Sequence, residues 1–179
     1  MAGRPPDRQD GPDMFGNPGP DPVQCPATGP AATSGRRLIV EADGGARGNP
    51  GPAAYGALVR DADTGETLLS EGLPIGRASN NVAEYRGLIA GLELARQVDP
   101  GAPVEVRMDS KLVIEQMAGR WKIKHPDMKP LAMRAAQLRP PQVVWTWIPR
   151  EQNKRADALV NLALDGTPVT RAEQVNVPD

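Results

Sequence analysis

The chain has 179 residues, 39% of them hydrophobic and 24% charged, with a formal net charge of −1, which is the make-up of one soluble globular domain of ordinary size with residues to spare. No apolar run approaches the roughly 18 residues of a membrane span, and the first thirty residues lack an apolar core flanked by basic residues; a transmembrane or signal-peptide reading is excluded and a cytoplasmic location is expected. The single cysteine, Cys25, has no partner for an internal disulfide, in keeping with a reducing compartment.

Residues 1 to 35 hold eight Pro and six Gly, with Phe15 as their only aromatic. Such a stretch cannot bury enough apolar surface to offset the entropy of ordering it, so residues 1 to 36 read as a disordered tail to which no function is assigned. The remainder changes the meaning of the net charge. Residues 36 to 166 carry 18 Lys or Arg against 16 Asp or Glu, and four of those acids are candidates for a metal site. The surface left over is modestly basic, which suits a polyanionic partner.

From Leu38 the pattern reads as three strands. Leu38, Ile39 and Val40 lead to Asp43, where Gly44 and Gly45 turn the chain into a basic GNPG loop. A second strand runs from about Ala53 to Arg60 and a third from about Glu66 to Leu73, with DADTG supplying the hairpin turn between them. An antiparallel meander is the simplest arrangement of the three. In RASNNVAEYRGLIAGLELARQ the apolar residues Val82, Tyr85, Leu88, Ile89, Leu92 and Ala95 recur at helical spacing. Asn81 followed by Glu84 matches a capping box. Glu84, Gly87 and Gly91 share one face, and two interior glycines there point to close approach of a neighbouring backbone.

VEVRM is a short strand running into Asp109 and Ser110, either of which suits the N-cap of a helix starting at Lys111. A strand, a long helix and another strand imply a right-handed crossover with parallel pairing, which sets the ends of the Asp43 and Asp109 strands side by side. Residues 120 to 139 contain six basic residues and one acid, with Trp121 among them; they suit either phosphate contact or a solvated helix face and linker. His125 reads as a surface residue, because no second His or Cys is available for a zinc site. VVWTWIP is a strand, and REQNKRADALVNLAL a helix capped by Asn153 with Asp157 in its second turn. Residues 167 to 179 read as a flexible tail or linker.

Each acid has an ordinary explanation: an Asp-Gly turn for Asp43, capping for Glu84 and Asp109, an exposed helical position for Asp157. Their collective placement at element ends argues for convergence. Four converging carboxylates repel one another unless cations intervene, and two Mg²⁺ ions, hard and oxygen-seeking, would turn them into a coordination site. Two such ions can activate a water and stabilise the leaving oxygen of a phosphodiester without a protein nucleophile.

The successive segments DGGARGNPG, SNNVAEYRGL, MDS and NKRADALVN resemble, in the right order and across residues 37 to 165, the motifs of the type 1 ribonuclease H family. The resemblance implies an α/β ribonuclease H-like fold: a mixed five-stranded sheet in the order 3-2-1-4-5, the first three strands antiparallel, with helices on both faces, over residues 37 to 166. It also implies endonucleolytic cleavage of the RNA strand of an RNA/DNA hybrid, leaving 5′-phosphate and 3′-hydroxyl ends. Asp43, Glu84, Asp109 and Asp157 take the places of the metal-binding acids, for two Mg²⁺ ions with Mn²⁺ as an alternative. Gly48, Asn49, Asn80, Asn81 and Lys111 fall at substrate-contact positions, and Arg77 and Ser79 where the family holds a phosphate of the DNA strand. The loop Pro149 to Gln152 is short and lacks the histidine that many members carry there. Arg150 is a candidate to assist by binding phosphate, its alternative being an ordinary surface arginine. The segment between Asp109 and Val143 is shorter than the basic handle of some relatives, which predicts weaker and more salt-sensitive hybrid binding. No membrane or obligate protein partner is implied, and a monomer is expected. The alternatives are a hybrid-binding module without catalysis, and the nuclease half of a bifunctional protein that also carries a phosphatase domain.

Overall fold

The computed structural model describes residues 35 to 172; most of the expected N-terminal tail and the last seven residues lie outside them. The elements in chain order are β1 (Leu38–Ala46), β2 (Gly51–Asp61), β3 (Thr67–Ala78), α1 (Asn80–Val98), β4 (Val104–Met108), α2 (Lys111–Met117), α3 (Lys129–Gln137), β5 (Val143–Trp147), a 3-10 turn (Arg150–Gln152), α4 (Lys154–Leu164) and β6 (Val169–Ala172). The strands make one sheet in the order β5-β4-β1-β2-β3-β6. This is the expected 3-2-1-4-5 arrangement with one strand added. β6 pairs antiparallel with β3, so Val169–Ala172, within the stretch expected to be a tail or linker, covers the sheet edge that a five-stranded version would leave unpaired.

The two faces of the sheet are covered by different helices. Along β2, Tyr55, Ala57 and Val59 point into the larger core with Leu88, Leu92 and Leu94 of α1, together with buried residues of α2 and α3. The alternate residues Ala54 and Leu58 meet Ala156, Leu159, Val160 and Ala163 of α4 on the other face. Period-two alternation thus separates two cores. Burial of each large aliphatic side chain contributes about 1.5 to 3 kcal/mol. Within the basic stretch between α2 and β5, Lys129–Gln137 form α3, with Ala132 and Ala135 buried and Met133 facing outward.

α1 begins two residues earlier than a capping box at Asn81 and Glu84 requires. Ser79 is its N-cap and accepts from the Val82 N–H, which leaves the Glu84 side chain free to turn toward the sheet. Likewise Ser110, not Asp109, caps α2 by accepting from the Val113 N–H. Neither acid is used as a cap.

Candidate active site

β1 and β4 run parallel, with Leu38 opposite Val104 and Glu41 opposite Arg107. Continuing that register by two residues sets Asp43 beside Asp109 at the carboxyl ends of adjacent strands. Glu84 reaches the same place from α1 because the helix lies almost on the backbone of β1. A Cβ built on Gly44 would sit 2.1 Å from the Ala83 carbonyl carbon, and one on Gly87 would sit 2.5 Å from the Asp43 carbonyl oxygen. Gly87 therefore has the close approach to a neighbouring backbone expected of this face, while Gly91 is packed against the Val40 side chain.

Carboxylate oxygens of Asp43, Glu84 and Asp109 all lie within 4.8 Å of one another. Asp43 is 7% exposed, and its Oδ1 accepts from the Gly44 N–H at 2.9 Å. Glu84 Oε2 is buried with no hydrogen-bond partner among the described residues. Burial first, and then the neighbouring Asp109 charge, push the Asp43 carboxyl up to about 7, against the opposing Gly44 N–H. Glu84 is raised well above the ordinary carboxylate value by burial, then by Asp43 and Asp109. Such a group of acids resists full ionisation at neutral pH. An all-carboxylate donor set with an unpartnered buried oxygen fits a hard divalent cation, whose charge would remove the repulsion.

Asp157 does not belong to this close trio, although it is near enough to Asp43 to add to the repulsion. It sits in the first turn of α4 rather than the second, and its Oδ1 lies 3.6 Å from Arg150 Nη2. Arg150, on the 3-10 turn, is an exposed side chain directed at the acids. Asn153 was expected only to cap α4, yet it makes no side-chain cap bond. Its Nδ2 donates to Asp109 Oδ1 at 2.7 Å and to the Ala42 carbonyl at 2.9 Å. An Asn before a helix reads locally as a cap, so nothing in the neighbouring sequence signals this inward turn.

The other expected contact residues surround the acids. Asn80 Oδ1 accepts from the Ala46 N–H at 2.9 Å, and Asn49 Oδ1 accepts from the Asn80 N–H at 3.1 Å. Both amide oxygens are occupied within the protein. Gly48 has φ +96°, a conformation that favours glycine in this tight loop. Asn81 and Lys111 are exposed at the starts of α1 and α2. Arg77 and Ser79 line a cleft of about 750 Å³ together with His125, so the histidine read as a plain surface residue stands beside the phosphate-contact candidates.

The sheet order, the crossover and the acids at the strand ends define a ribonuclease H-like α/β protein. A family model described as "Reverse transcriptase-like" matches residues 41–163. The bifunctional protein Rv2228c of Mycobacterium tuberculosis is 52% identical over 131 residues, covering 72% of this chain and 36% of that protein. The ribonuclease HI of Halobacterium salinarum is 46% identical over 134 residues, covering 73% of this chain and 66% of the relative. Among solved structures, LC11-RNase H1 in complex with RNA/DNA hybrid is similar with a TM-score of 0.69 and 43% identity, covering 73% of this chain and 98% of that one. The chain belongs to the type 1 ribonuclease H family. It spans only about a third of the length of Rv2228c. Among the described residues no helix is long and apolar enough to cross a membrane.

Proposed function

We propose that this protein is a metal-dependent endonuclease that hydrolyses the RNA strand of RNA/DNA hybrids, leaving 5′-phosphate and 3′-hydroxyl ends. The observation that carries the reading is the convergence of Asp43, Glu84 and Asp109 into one pocket at the strand ends. With Asp157 they would hold two Mg²⁺ ions, or Mn²⁺ in their place. When bound, such ions lower the pKa of an attacking water and neutralise charge on the phosphate and leaving oxygen.

The chain's own residues bind and orient the substrate. Because the amide oxygens of Asn49 and Asn80 are tied to backbone N–H groups, their NH₂ groups are left as donors toward the 2′-hydroxyls and base edges of the RNA strand in the shallow groove. Gly48, Asn81 and Lys111 complete that rim. Arg77 and the Ser79 hydroxyl, which still has its hydrogen to give after capping α1, hold a phosphate of the DNA strand. Arg150 steadies the scissile or departing phosphate, drawing on its position beside Asp157.

Incubating the protein with a uniform RNA/DNA hybrid, double-stranded RNA and double-stranded DNA of equal sequence tests the reading. Cleavage of the RNA strand of the hybrid alone, abolished by EDTA and restored by Mg²⁺, is expected. Hybrid binding without cleavage in Mg²⁺ or Mn²⁺ would make the protein a binding module instead. A second reading, that this is the nuclease half of a bifunctional protein, is favoured by its match to 36% of the bifunctional Rv2228c; the reading frame around the coding sequence tests it.

A further inference from the structure

Asn153 occupies the N-cap of α4 but gives up the cap bond that an asparagine there ordinarily makes. The residue is 1% exposed, and its side chain points into the acid pocket. Both hydrogens of its amide are committed, one to Asp109 Oδ1 at 2.7 Å and one to the carbonyl of Ala42 at 2.9 Å. Two acceptors on one side determine the orientation of the group, since a flipped amide would set its oxygen against both. Its own Oδ1 is then buried with no hydrogen-bond partner among the described residues. The same residue's backbone carbonyl accepts from the Asp157 N–H at 3.1 Å. One asparagine therefore joins the end of β1 next to Asp43, the carboxylate of Asp109 and the turn that carries Asp157. The side chain neither caps the helix nor satisfies its own oxygen, and both of its donors are spent at the pocket wall.

We propose that Asn153 is a positioning residue that sets Asp157 against Asp109 and so governs how tightly the acid pocket holds divalent cations. The inference rests on the metal-dependent reading above. Groups that hold a ligand from behind typically change metal affinity about 10- to 100-fold when removed.

The informative variant is Asn153→Ser, because a serine can cap α4 by accepting from its first N–H groups while it lacks the amide donors. Asn153→Ala removes both. Isothermal titration of the 179-residue chain with MgCl₂, alongside metal-free thermal melts followed by circular dichroism, separates affinity from stability. The expected result is an Asn153→Ser protein that melts close to the parent but binds Mg²⁺ about 10-fold or more weakly, with hybrid cleavage recovering as Mg²⁺ is raised. Parental Mg²⁺ affinity in Asn153→Ser overturns the proposal. A serine variant that fails to fold overturns it too, by making the residue a requirement of the scaffold. If the parent binds Mg²⁺ but cuts no hybrid, the nuclease reading fails while the affinity comparison still decides the role of Asn153.

Discussion

Asp43 is costly to the metal-free protein because it is buried beside other acids, and that cost has a sign. Its carboxyl rises from 3.8 to about 7 on folding. Between roughly pH 4 and 7 the folded state therefore holds a proton that the unfolded state has lost, and metal-free stability falls as pH rises through that window. Glu84 acts in the same direction. A bound divalent cation must displace these protons, so its affinity rises with pH. The increase in melting temperature caused by Mg²⁺ is accordingly expected to be small at pH 5 and large at pH 8, as read by differential scanning fluorimetry. Asp43→Asn keeps an oxygen for the Gly44 N–H while removing the charge. It should abolish hybrid cleavage yet raise metal-free stability at pH 8 by about 1 to 3 kcal/mol. Retained cleavage would remove Asp43 from the site, and a loss of stability would mean that the like charges do not govern the pocket.

At the scale of elements, the contact between α1 and β1 brings Glu84 to the strand ends, and glycine makes the contact possible. Adjacent positions on β1 differ sharply. A Cβ at Gly44 would lie 2.1 Å from helix backbone, whereas one at Gly45 would meet only a Val160 methyl at 3.5 Å. Gly44→Ala is expected to destabilise the protein by about 1 to 3 kcal/mol through overpacking and to displace Glu84. Gly45→Ala should be nearly neutral in the same urea titration. Equal effects would show that α1 yields freely and does not set the acid spacing. The glycine face of α1 was legible from spacing alone, but its true cap was not. Both Ser79 and the Asn81–Glu84 pair satisfy local capping rules, and the packing of α1 on the backbone of β1 that aims Glu84 at the strand ends, which distinguishes them, is a long-range contact.

Across the whole molecule the sixth strand is held by a polar network spanning 100 residues of sequence. Arg171 Nε donates to Glu71 Oε2 at 3.0 Å and its Nη1 to Gln97 Oε1 at 3.1 Å. The buried Glu71 also receives the Tyr55 hydroxyl at 2.6 Å. Arg171→Ala leaves that carboxylate without its cation and should lower stability by about 1 to 3 kcal/mol. Adding Glu71→Gln should restore part of the loss, and additive effects in thermal melts would show that the network does not anchor β6. Binding of a non-cleavable hybrid is likewise a whole-surface property. With a modestly basic face and only the short α3 region where some relatives carry a basic handle, affinity should fall steeply with salt, as a linear decline of log K against log [NaCl].

Strand alternation, helix periodicity and turn residues are local, and they carried strands β1 to β5 and the long helix, with element bounds adjusted by a few residues, while the full sheet order came from the family resemblance. The tertiary structure alone decided what depends on groups distant in the chain. It pairs Val169–Ala172 with β3, packs α3 beneath α1, and brings Asp43, Glu84 and Asp109 within one ion's reach while leaving Asp157 further out. It also turns Asn153 inward instead of onto its own helix. The physical reason is the same each time. A backbone edge, a carboxylate or an amide has several partners of comparable merit nearby, and the choice among them is made by neighbours that only folding supplies.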